Sequence, residues 1–191
     1  MVSRMMLVGL TFVSSLLAGA QVATSTSGSG GMKLAAGAVF SGFQTDADHH
    51  PFMYGFGAYA DYNPLPFLGV EIEGRTIQFN QQDNIRQDAI SAGLRYIYNR
   101  GRFAPYAKAL GGFGSADFPK GTYANSIDRQ HDTFTVATIG GGLDYKLTHR
   151  VYLRADYEYQ FWFDYGRGIG KPGFGTINPN GFSIGAAYKF F

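Results

Sequence analysis

The chain has no cysteine among its 191 residues, which excludes disulfides and thiolate metal sites. It has no marked surplus of either charge, since 16 Lys and Arg stand against 14 Asp and Glu. Nucleic-acid binding rests on neutralising phosphates with a basic surplus, so nucleic acid is not an expected partner. No apolar run reaches the ~20 residues that a helical membrane span requires. That excludes helices as spans and nothing more, because a membrane barrel spreads its signal over ~10-residue alternating segments, each weak alone. What the chain holds in quantity is glycine, with 27 residues, and aromatics, with 17 Phe and 13 Tyr. Glycine stands at about twice its usual ~7% share. Both suit strands that curve and strands that meet lipid headgroups.

The first twenty residues have the pattern of a secretory signal. Arg4 supplies the positive start, Met5 to Leu17 is apolar apart from Gly9, Thr11, Ser14 and Ser15, and Ala18-Gly19-Ala20 is a small-residue cleavage site. Cleavage is expected before Gln21, and residues 21–32, rich in Ser, Thr and Gly, are expected to form a flexible periplasmic leader. The remainder, 33–191, is long enough for one domain with a sizeable interior.

Eight strand-like segments follow, over 33–43, 52–62, 67–79, 86–98, 103–114, 131–146, 151–163 and 180–191. Their lengths suit tilted strands that cross a bilayer and exceed the ~5–6 residues of an ordinary sheet strand. The seventh shows the period of two most clearly. Val151, Leu153, Ala155, Tyr157, Tyr159, Phe161 and Phe163 alternate with Tyr152, Arg154, Asp156, Glu158, Gln160 and Trp162. The connections alternate too: 44–51, 80–85, 115–130 and 164–179 are long, whereas 63–66, 99–102 and 147–150 are tight and rich in turn residues. Short turns at one end and longer loops at the other describe an all-β, eight-stranded antiparallel up-and-down transmembrane β-barrel with periplasmic termini.

Periodicity alone does not say which face points inward. The polar face carries Asp61, Glu71, Glu73, Arg75, Arg95, Lys108, Asp144, Lys146, Arg154, Asp156, Glu158 and Lys189, six acids and six bases. A solvated outer face needs no such balance, but a closed lumen does, because a buried unpaired charge is costly. The apolar face carries Tyr or Phe near strand ends (Phe52, Tyr62, Phe67, Phe79, Tyr98, Phe103, Phe113, Tyr145, Phe163), as interfacial girdles do. The expected arrangement is apolar toward lipid and polar toward the lumen. The charges, Lys146 and Lys189 aside, are the candidate lumen network.

The last strand, Ser183-Ile184-Gly185-Ala186-Ala187-Tyr188-Lys189-Phe190, resembles the β-signal read by the barrel-assembly machinery, with Ser183, Gly185, Tyr188 and Phe190 at the matching positions and one further residue, Phe191, beyond them. Over 33–191 the chain is similar to the small eight-stranded OmpA-like (OmpX-like) outer-membrane barrels of Gram-negative bacteria. The resemblance implies an outer-membrane location, a monomer, outer-membrane lipids and lipopolysaccharide as surroundings, and the assembly machinery as a partner during biogenesis. It also implies a non-enzymatic role, as a membrane-integrity scaffold or a protein that binds through surface loops.

Two other function classes remain open at this stage. One is a narrow porin-like pore for small solutes, with the lumen charges as its lining. The other is a lipid A-modifying enzyme. The lipid A deacylase type uses His-x-Ser with an acid, and none of the four histidines, His49, His50, His131 and His149, precedes a serine by two. His131-Asp132-Thr133 comes nearest, with threonine in place of serine. No catalytic residue, metal site or cofactor is therefore expected. Asp46-Ala47-Asp48-His49-His50 has metal-binding side chains but no spacing that would hold them on a rigid element. Gly166-Arg167-Gly168-Ile169-Gly170 lacks the strand-turn-helix setting of a phosphate loop.

Overall fold

The computed structural model describes residues 33–44, 52–79, 86–118, 130–164 and 178–190. The expected signal sequence (1–20) and leader (21–32), the Asp46–His50 and Gly166–Gly170 stretches and Phe191 lie outside them.

The strands are β1 (Lys33–Gln44), β2 (Phe52–Asn63), β3 (Leu68–Phe79), β4 (Arg86–Ile97), β5 (Phe103–Phe118), β6 (Gln130–Lys146), β7 (Val151–Asp164) and β8 (Asn180–Lys189). Each pairs antiparallel with its sequence neighbour, and β8 returns to pair with β1, which closes the barrel. Closure leaves no strand edge unpaired, a condition that lipid imposes on any sheet that crosses it. The strand boundaries fall within a few residues of those expected from alternation, with one substantive difference. β5 continues to Phe118, pairing Ser115 with Thr133 and Asp117 with His131, so residues 115–118 belong to the wall and not to the third long connection.

Alternation becomes geometry directly. On β7 the side chains of Arg154, Asp156, Glu158, Gln160 and Trp162 are buried, while Leu153, Tyr157 and Phe163 are exposed. The exposed set is the apolar one throughout: Ile184 is 63% exposed, Ile90 60% and Ile72 53%, whereas Glu71 is fully buried. A water-soluble barrel would show the reverse. The band is bordered by contacting aromatic pairs, Phe67–Tyr96, Phe103–Tyr145 and Tyr188–Phe190 at the short-turn end and Phe52–Tyr54 at the other.

The β4–β5 turn shows how sequence sets the wall. Arg100 and Phe103 exchange two backbone hydrogen bonds of 2.8 and 3.1 Å across a two-residue loop. Gly101, the first loop residue, has φ +66°, the conformation that a type II′ hairpin asks of glycine and that matches the twist of the flanking strands.

Candidate functional site

Eight strands enclose an interior that side chains can fill, and here they fill it in two distinct zones. The zone toward the short turns is ionic. Asp61 comes from β2, Glu71, Glu73 and Arg75 from β3, Arg95 from β4, Lys108 from β5, Asp144 from β6, and Arg154, Asp156 and Glu158 from β7. Their inward parity brings all ten into one connected set.

At its lower level two guanidinium groups share two aspartates. Arg95 donates to Asp61 at 2.5 Å and to Asp144 at 2.7 Å; Arg154 donates to Asp61 at 2.6 Å and to Asp144 at 2.8 and 3.0 Å. Glu71 joins this level to the next, accepting from Arg154 at 3.0 Å and from the Lys108 ammonium at 2.8 Å. Lys108 is the hub of the upper level, with Glu73 at 2.9 Å, Glu158 at 2.5 Å and Asp156 at 3.3 Å. Arg75 grips Glu158 through two bonds of 2.7 and 2.9 Å and also pairs with Glu73. Planar guanidinium against carboxylate is the geometry that best offsets the desolvation of both ions.

Two tyrosines complete this zone. Arg154 lies over the Tyr59 ring at 3.8 Å, Arg95 lies over Tyr106 at 4.0 Å, and the Tyr106 hydroxyl donates to Asp156 at 2.9 Å. Ring faces attract guanidinium groups most where water is excluded.

The second zone, toward the long connections, is apolar. Phe43, Met53, Ile77, Ala116, Phe134, Val136 and Trp162 form one cluster, none more than 4% exposed. Sequence reasoning expected a polar lumen throughout and missed this plug. The signal was available in parity: Met53 is in step with Asp61, Ile77 with Arg75, Ala116 with Lys108, Phe134 and Val136 with Asp144, and Trp162 with Glu158. The zones are joined by a relay of donors. Trp162 Nε1 donates to Gln160 at 2.9 Å, and Gln160 donates to Glu158 at 3.3 Å. Arg75 lies 4.5 Å from the centre of the Phe43 ring.

The expected charge balance is revised. The ion-paired set joins six carboxylates to four cations; Lys146 and Lys189, counted with them from the sequence, lie near the short-turn end of β6 and β8. A cavity of about 90 Å³ opens at that end, lined by Asp61, Asp144, Tyr152, Arg154 and Lys189 among others. It reaches the lower level of the network from below. Among the described residues no cluster of His, Cys, Asp and Glu has metal-binding geometry.

The β-signal positions occupy three different settings. Ser183 faces inward and its hydroxyl meets that of Ser41 at 2.9 Å. Tyr188 and Phe190 face outward, their rings 5.4 Å apart. Gly185 lies against β1, where a Cβ would come within 2.1 Å of the Ala38 carbonyl oxygen. Glycine at 185 is thus required by packing at the β1–β8 seam, whatever else reads it.

A closed antiparallel ring with an apolar outside, aromatic borders and a filled ionic interior is the construction of an outer-membrane barrel. Residues 8–190 match the model of the outer membrane protein β-barrel domain. The chain belongs to that family. No curated protein matches it. Solved structures share its fold: Neisserial surface protein A, at 18% identity and TM-score 0.63, covers 83% of this chain and 97% of its own. Ail, the attachment invasion locus protein of Yersinia pestis, is 17% identical with TM-score 0.56, covering 83% and 98%. The N-terminal barrel of Pseudomonas aeruginosa OprF is 16% identical with TM-score 0.50, covering 82% and 97%. These likenesses are of fold; the family match places this β-barrel in the outer membrane.

Proposed function

We propose that this outer-membrane barrel is a sealed, non-enzymatic scaffold that supports membrane integrity and presents its long connections at the cell surface for binding. In this reading the short turns and termini are periplasmic, the lipid-facing band meets lipopolysaccharide and phospholipid, the protein is a monomer, and the terminal strand is read by the assembly machinery. One observation carries the proposal: the lumen is occupied from its lower ionic level to the Phe43–Trp162 plug. An interior of this kind stiffens a wall and leaves recognition to the connections between strands.

The test is conductance of the refolded protein in a planar bilayer, with unboiled and boiled gel mobility to establish that it folded. The expected result is a folded, silent barrel. Reproducible discrete openings would overturn the sealed reading and put the narrow pore in its place, with Arg95, Arg154, Asp61 and Asp144 as selectivity determinants. That second reading draws on the cavity below the network, whose lining includes Asp61, Asp144 and Arg154.

A further inference from the structure

Among the described residues, the outward side-chain charges at the short-turn end are all of one sign. Arg100 and Arg102 flank Gly101 in the β4–β5 turn, Arg150 closes the β6–β7 turn, and all three are exposed. No Asp or Glu occurs in 63–67, 98–103 or 146–151. The acids beside the β2–β3 and β6–β7 turns, Asp61 and Asp144, face the lumen and are held by Arg95 and Arg154. Among the described residues Arg100, Arg102 and Arg150 have no carboxylate partner; the Arg150 guanidinium donates to the Tyr188 hydroxyl at 2.9 Å. The other end differs, since its exposed Arg86 is paired with Asp88 at 2.8 Å.

Depth decides what such a collar meets. The three arginines lie immediately beyond the exposed aromatics Phe67, Tyr96, Tyr98, Phe103 and Tyr188. Those rings mark the boundary between acyl chains and headgroups. An arginine one step further out reaches phosphate depth, with its stem along the apolar band and its head in the polar layer. The two-residue turn around Gly101 holds Arg100 and Arg102 there without a long loop. We propose that the short-turn rim is a phosphate-binding collar that selects anionic phospholipid in the leaflet on that side of the membrane. A protein partner rich in carboxylates is the competing occupant, and the aromatic boundary beside the arginines favours lipid.

The measurement is the ratio of spin-labelled phosphatidylglycerol to spin-labelled phosphatidylcholine in the motionally restricted lipid around the full barrel. The host vesicles are phosphatidylcholine at low salt. The expected ratio for the wild-type protein is roughly fivefold in favour of phosphatidylglycerol, the scale of a single well-placed base near an anionic surface. It should fall as salt is added. The triple variant Arg100→Gln, Arg102→Gln, Arg150→Gln should bring the ratio close to one with heat-modifiable gel mobility unchanged. The corresponding triple Lys variant should keep the preference. A wild-type ratio of one overturns the proposal and leaves the collar to a soluble acidic partner. A triple Gln variant with the wild-type ratio overturns it as well, since the selectivity then lies elsewhere. Loss of the preference to inorganic phosphate, but not to chloride of equal ionic strength, would assign the arginines to free phosphate. If the triple variant does not fold, the single Arg102→Gln and Arg150→Gln variants carry the same test, each expected to lower the ratio.

Discussion

The two halves of the lumen solve one problem by opposite means. Toward the short turns, ten charged side chains fill the barrel, and every one is held by an ion of the other sign. Toward the long connections, six large apolar side chains and Ala116 fill the same cross-section without a charge. Burying an ion costs several kcal/mol that only good pairing recovers, whereas burying an apolar side chain is favourable on its own account. The ionic half is therefore all-or-none, and the apolar half is tolerant. A barrel with both has a specifying half and a forgiving one, and loss of one residue should be felt differently in each.

Lys108 is where that difference should be largest. Its ammonium group touches Glu71, Glu73, Asp156 and Glu158, so Lys108→Ala leaves four carboxylates facing one another with Arg75 and the lower guanidinium groups as the remaining cations. Removing one partner of a buried ionic set costs roughly 3–5 kcal/mol. Urea unfolding in lipid vesicles, followed by gel mobility or tryptophan emission, should show a loss of that size. A change below about 1 kcal/mol would mean that the network contributes little, as exposed ion pairs do, and would remove the contrast between the halves.

The lipid face supplies the outer reference for both. Ala155 lies on β7 between buried Arg154 and Asp156 and is itself exposed. Ala155→Arg places one more guanidinium a single residue from the network, but on the wrong side of the wall. Near mid-membrane that substitution should destabilise by roughly 2–4 kcal/mol, read by the same unfolding measurement. Folding in bilayers with unchanged stability would reverse the assignment of the two faces.

How much of this was legible in the sequence depended on which cue each residue left. The strands could be read because alternation on β7 and β3 is nearly unbroken, and the ionic half could be read because Glu71, Arg95, Lys108 and Asp156 are conspicuous opposite an apolar face. The plug could not be read from composition. Phe43, Met53, Ile77 and Phe134 have the chemistry of the lipid face, and parity alone places them inside. The extension of β5 past Gly114 was obscured by small residues, Ser115 and Ala116, that look like the start of a loop. Ala116 is small because it packs inside the plug. The pairing partners within the ionic set had no sequence cue at all, since they join strands up to four positions apart around the ring, as Arg75 on β3 does with Glu158 on β7.

The finest test of the comparison is the pair of hydroxyls at the seam. Ser41 on β1 and Ser183 on β8 are register partners, both are buried, and their oxygens lie 2.9 Å apart. They sit toward the apolar half, next in parity to Phe43, so what surrounds them is closer to the forgiving zone than to the ionic one. Ser41→Ala should cost about 1 kcal/mol, because the Ser183 hydroxyl is left buried with its partner gone. Ser183→Ala should cost about the same for the mirror reason. The double variant should recover most of the loss, since removing both hydroxyls leaves no polar group unsatisfied and two small methyl groups in contact. A double-mutant cycle in vesicles measures this directly. If the two single losses add in the double variant, the hydroxyls are satisfied independently of each other and their 2.9 Å contact contributes nothing of its own. If they cancel, this part of the lumen tolerates the wholesale exchange of polar for apolar contacts, and the division between a specifying half and a forgiving one runs below the Ser41–Ser183 level.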